Sequence, residues 1–130
     1  MVHKSIVANG LVPPRGPYAH AVIAGDYVFV SGLGPVNAKL GGVVVEGGIK
    51  EQTTQTLKNI QTVLENADLE MEDVVRVGVY LRDLKDFEEF NSAYSAFFGE
   101  SPPARTTVQC AIPNNKALVE IDAIAYKGTK

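Results

Sequence analysis

From Ile49 onward the spacing of the core-type residues changes. Ile49, Thr53, Leu57, Ile60, Val63, Leu64 and Ala67 recur at three- and four-residue steps, the stripe of an amphipathic helix ending near Asp68. A helix with one apolar stripe must lay it on something, and the flanking segments read as strands. Val74 to Arg82 alternates, with Val75, Val77, Val79 and Leu81 on one side and Arg76, Gly78, Tyr80 and Arg82 on the other. The chain is thereby held to a layered α+β arrangement.

The remaining segments complete that layer. Ser5 to Ala8 reads as a short strand, and the stretch from Gly10 to Pro17, with three prolines, as a loop. Ala19 to Ala24 and Tyr27 to Ser31 form strands about a Gly25-Asp26 hairpin turn. Val43 to Val45, bracketed by paired glycines, makes no more than a local strand or flap. Asp86 and Glu89 resemble a capping box, opening a second helix whose stripe is Phe87, Phe90, Tyr94 and Phe97, closed by Gly99. Arg105 to Ala111 and Leu118 to Tyr126 finish the chain as strands. The expectation is a single domain over residues 1–130, with one mixed six-stranded sheet carrying two helices on one face.

Alternation then assigns faces. Val119, Ile121, Ala123 and Ala125 are expected to meet the helices, leaving Glu120, Asp122, Ile124 and Tyr126 on the uncovered side. The same pleat takes Val108 and Cys110 inward and sets Arg105, Thr107 and Gln109 beside Glu120. An uncovered face mixing Gly78, Tyr80, Ile124 and Tyr126 with charges is too apolar for solvent and too polar for a core. It calls for another subunit, with Arg105 and Glu120 near the boundary, where a small ligand can be enclosed.

Arg105 follows a double proline, Pro102-Pro103, which enters the strand stiffly and aims the side chain with little slack. Guanidinium is suited to gripping a carboxylate through two parallel hydrogen bonds, the other reading being an ordinary surface salt bridge. With 12 Lys+Arg against 15 Asp+Glu the formal net charge is -3, and no basic run appears, which argues against electrostatic binding of nucleic acid or anionic membrane. The start, Met1 to Ile6, lacks the apolar run of a signal peptide, and no stretch approaches a membrane span; a cytoplasmic protein is expected. Cys110 is the only cysteine, so no internal disulfide is expected; with two histidines it makes a poor metal set. Cys110 reads as a small core hydrophobe, His20 as a surface or interface residue and His3 as part of a frayed end.

Several separated motifs then carry a resemblance. Gly16-Pro17-Tyr18, Val30-Ser31-Gly32, Gln55 with Asn59-Ile60, Asp86-Phe87 with Asn91 and Tyr94, Phe97-Phe98, Pro103-Ala104-Arg105, and Val119-Glu120-Ile121 with Ala123-Ile124-Ala125 resemble, in order and spacing, the RidA family, also called YjgF. The resemblance implies a chorismate-mutase-like subunit and a homotrimer with clefts between subunits. It implies hydrolysis of 2-imino or 2-enamino acids, such as 2-aminoacrylate, to 2-keto acids and ammonia, without a metal or organic cofactor. By the same match Arg105 binds the substrate carboxylate, Tyr18, Ser31 and Glu120 line the cleft, and Glu120 handles the attacking water. Asn91 matches a position near the site and has an equally good structural reading, satisfying buried backbone groups.

Tyr18 and Ser31 also admit plain roles, as a loop anchor and a strand-end turn residue. Where many members have glutamine this chain has Leu33, and where many have cysteine two places after the arginine it has Thr107, which bears on substrate range. Two other functions stay open: a non-catalytic trimer that binds small carboxylates or a protein partner, and an RNA-cleaving translation inhibitor.

Overall fold

A computed structural model describes residues 3–128. Met1 and Val2, at the start of the stretch read as lacking a signal peptide, lie outside the described residues. The strands are β1 (Lys4–Ile6), β2 (Ala21–Ala24), β3 (Tyr27–Leu33), β4 (Val36–Asn37), β5 (Val43–Val44), β6 (Val74–Leu81), β7 (Ala104–Gln109) and β8 (Val119–Tyr126). The helices are α1 (Ile49–Glu65) and α2 (Phe87–Ser95). Six strands form one mixed sheet, as expected; their order is β1-β2-β3-β8-β6-β7, with β6 and β7 paired in parallel and the other neighbours antiparallel. β4 and β5 make a separate two-stranded ribbon, so the Val43-Val44 run is a small flap. The β2–β3 hairpin turns through Gly25 and Asp26, with Ala24 opposite Tyr27 and Gly25 at φ +59.

Both helices cover one face. Leu57, Ile60, Val63 and Leu64 of α1 and Phe90 of α2 are buried with Val28, Val77, Val79, Leu81, Val119, Ile121 and Ala125 of the sheet. Each large aliphatic so enclosed contributes roughly 1.5–3 kcal/mol relative to exposure. β8 keeps the expected pleat: its odd-numbered residues are buried against the helices and Glu120 and Asp122 point the other way.

Four expectations fail for physical reasons. Val75 is exposed, because the ladder slips between Val74 and Arg76; this bulge puts Val74 into the core instead. β7 has the opposite pleat to the one expected: Arg105 and Thr107 are paired beside the buried Val77 and Val79, so they face the helices with Gln109, while Val108 and Cys110 are exposed. Polar side chains are tolerated there because β7 is an edge strand beside α2, whose rings accept the guanidinium. Asp86 makes no side-chain cap; a short 3-10 turn over Leu84–Asp86 precedes α2, and Asp83 accepts from Lys85 N at 2.9 Å in its place. His20 is buried: its Nδ1 accepts from Ala8 N at 2.8 Å, which leaves Nε2 to donate to Val12 O at 2.9 Å and pins the 8–12 segment over β2.

Candidate active site

The segment from Leu11 to Tyr18, the end of β3, the Ile112–Ala117 connection and Glu120 enclose an open cleft of about 1000 Å³. Its walls are fixed mainly by backbone partners. Arg82 donates to the carbonyls of Ala117, Ile112 and Asn114 at 2.8, 3.2 and 2.8 Å, clamping the connection ahead of β8. Gln52, on α1, donates to Lys116 O at 3.1 Å and accepts from Leu118 N at 2.6 Å, setting the entry of the strand that carries Glu120. On the opposite wall Asn59 donates to Gly34 O and Val36 O at 3.0 and 2.9 Å. Buried amide and guanidinium groups that satisfy loop carbonyls hold a loop to one conformation where packing alone would not.

Tyr18, Ser31 and Glu120 all line this cleft. β3 slips against β8 between Val30 and Leu33, and this bulge carries Ser31 and Gly32 out of the regular ladder toward the opening. Ser31 Oγ donates to Ala19 O at 2.7 Å, so its proton is committed and its lone pairs face the cleft as acceptors. Tyr18 is half exposed; its hydroxyl accepts from Arg15 N at 3.4 Å and keeps its own proton to donate. Gly32 lies against Glu120 so closely that a Cβ there would meet the carboxylate oxygen. Burial, and secondarily the charge of Asp122, holds the Glu120 carboxyl above its usual range. Asp122 is itself engaged, accepting from Gly78 N at 3.0 Å and from the Tyr80 hydroxyl at 2.8 Å.

Arg105 is elsewhere. It faces α2, its guanidinium 4.8 Å from the Tyr94 ring centre and 5.4 and 5.8 Å from those of Phe90 and Phe87. On the same two elements, α2 and β7, Asn91 Oδ1, Tyr94 OH and Thr107 Oγ1 are buried and make no well-formed hydrogen bond among the described residues. Buried polar atoms of this kind are uncommon and costly. Asn91 therefore does not satisfy backbone groups through its Oδ1, in contrast to its structural reading.

Sheet geometry keeps the two regions apart. β6 runs between β8 and β7, so the Glu120 and Arg105 strands are about 10 Å apart, and the two side chains leave opposite faces. The expectation that both share the uncovered face is thus corrected. Arg15, Gly32, Gln52, Asn59 and Arg82 shape the cleft without having been singled out for it; only Gly32, as a glycine inside a strand, gave a local signal.

Fold and cleft together define an α+β protein whose six-stranded sheet carries an open cleft of mixed polar and apolar lining. The family model described as Endoribonuclease L-PSP matches residues 10–127. A RutC family protein of Pyrococcus horikoshii is 46% identical over 125 residues, covering 95% of this chain and 98% of that protein. The protein named 2-iminobutanoate/2-iminopropanoate deaminase of Escherichia coli K12 is 35% identical over 127 residues, again covering 95% and 98%. The crystal structure of the YjgF gene product of E. coli superposes with a TM-score of 0.88 at 35% identity, over 95% of this chain and 98% of that one. The chain belongs to the Endoribonuclease L-PSP family, the RidA/YjgF family of the resemblance.

Among the described residues no group of three or more His, Cys, Asp or Glu is placed to hold a metal, and no helix is long and apolar enough to cross a membrane.

Proposed function

We propose that the protein is a cytoplasmic hydrolytic deaminase of reactive 2-imino and 2-enamino acids, working as a homotrimer in clefts between subunits. The observation that carries this reading is the division of the machinery. A cleft with an acid of raised pKa, Glu120, lies on one surface, and an arginine with unsatisfied polar neighbours lies on another. Neither half suffices, and a neighbouring copy that presents its Arg105 to the Glu120 cleft completes both. The name of the E. coli relative supports the substrate class.

The chemistry asks little of the protein. An imine carbon next to a carboxylate is electrophilic once its nitrogen is protonated. Arg105 grips the carboxylate and fixes orientation. Glu120 accepts a proton as water attacks C2, giving a carbinolamine. It returns that proton to the nitrogen as the C–N bond breaks, and the hydroxyl proton passes to Glu120 as the carbonyl forms and then to the departing ammonia, leaving the 2-keto acid and ammonium. General acid–base work of this kind is worth roughly 10^2 to 10^4-fold in rate. Tyr18 donates to the nitrogen or the water and Ser31 accepts, while Asn91 and Thr107 line the carboxylate side. No strong nucleophile is needed.

Release of ammonia and keto acid from 2-aminoacrylate generated in situ is the test. An Arg105→Ala variant is expected to lose on the order of 10^2-fold in kcat/KM, the scale of removing one charge-stabilising donor; a variant as fast as the parent defeats the proposal. A non-catalytic carboxylate binder predicts keto-acid binding without turnover. The family's description as an endoribonuclease favours a second reading, RNA cleavage. It predicts RNA binding that weakens steeply with salt, against which stands the net charge of -3.

A further inference from the structure

The contacts that hold Arg105 are rings rather than carboxylates. Phe90 is fully buried and fixes the floor; Tyr94 packs against it at 5.4 Å between ring centres and against Phe98 at 4.6 Å, so its ring has little freedom. Phe87, 38% exposed in the first turn of α2, forms the outer edge. We infer that Phe87 and Tyr94 are positioning residues for Arg105. With Phe90 they make a three-ring cradle that fixes the guanidinium without neutralising it, so its full charge is left to an anionic ligand. The inference rests on the reading of Arg105 as the carboxylate grip.

A ring attracts a cation through its quadrupole and brings no net charge, whereas an acidic neighbour would hold the arginine equally well and compete with the ligand for it. The Tyr94 hydroxyl fits this role. Burial pushes its pKa up while the Arg105 charge and a hydrogen bond to Arg105 pull it the other way, so the group beside the guanidinium is a phenol and not a carboxylate. The cradle also explains why an arginine can face the covered side of the sheet.

Binding of 2-oxobutanoate to the assembled protein, measured by calorimetry beside steady-state kinetics, tests the cradle with Phe87→Leu, Tyr94→Leu and Arg105→Ala. Leucine keeps apolar volume and removes the ring. We expect Phe87→Leu to weaken 2-oxobutanoate binding and raise KM by about tenfold, with a smaller change in kcat and an unchanged melting temperature, and Phe87→Tyr to recover most of the loss. Should Tyr94→Leu fail to fold, Phe87 carries the test alone. If Phe87→Leu binds as the parent does while Arg105→Ala loses binding, the cradle is overturned and the arginine grip survives. If Arg105→Ala also binds as the parent does, the grip falls and the cradle with it.

Discussion

The Glu120 cleft and the surroundings of Arg105 are built by different means. Around Glu120 the walls are backbone, held by Arg82, Gln52 and Asn59 and brought so close at Gly32 that a single methyl would collide with the carboxylate. Around Arg105 the walls are side chains, the three aromatic rings of Phe87, Phe90 and Tyr94. A backbone-walled site tolerates no added atom; a ring-walled site tolerates loss of an atom but not of a ring. The first suits a group that must be placed against a water, the second a charge that must be displayed.

That contrast is sharpest at Gly32. Gly32→Ala would drive Cβ into Glu120 Oε2 and to 3.0 Å from its Cδ, a clash that the carboxylate can relieve by swinging away. We expect kcat to fall by about 10^2-fold, the usual result of an ångström's misplacement, with little change in melting temperature because the displaced atoms end a flexible chain. Near-parental kcat would show that the Glu120 position does not matter.

A smaller effect separates the two regions by pH. Because the folded state raises the Glu120 pKa, ionising it works against folding: the stability is present while the group is protonated and is lost as pH rises through the folded value. Glu120→Gln removes that penalty. The variant should unfold at a higher denaturant midpoint than the parent at pH 7, and the gap should close as pH falls below the ordinary carboxylate value of 4.5. A variant less stable than the parent at pH 7 would mean that the carboxylate is held by favourable contacts instead.

The sequence made the cleft half easy to read and the arginine half hard. β8 alternates without ambiguity, so the outward face of Glu120 followed directly, and the hairpin through Gly25-Asp26 and the stripe of α1 were equally plain. In β7 the helix-facing positions are Arg105, Thr107 and Gln109, and the outward ones include Val108 and Cys110, so hydrophobicity points to the wrong side. Only the parallel register with β6 and the rings of α2, both long-range facts, set the true pleat. Val75 misled for a similar reason: either of the adjacent valines, Val74 or Val75, can begin the apolar face, and only the ladder reveals the one-residue bulge. His20 is buried by partners 8 and 12 residues away in a proline-rich loop, which no local pattern reports.

Mixed assemblies test most directly whether each cleft takes its arginine and its glutamate from different copies of the chain. Arg105→Ala and Glu120→Gln, each crippled alone, would be co-expressed with different tags and the mixed oligomers isolated. If the halves come from neighbouring subunits, every mixed trimer holds both groups intact in one of its three clefts, and deaminase activity should return to about a third of the parent. If mixed oligomers form and stay as inactive as either variant, the two groups do not meet between subunits, and the account of the site is wrong.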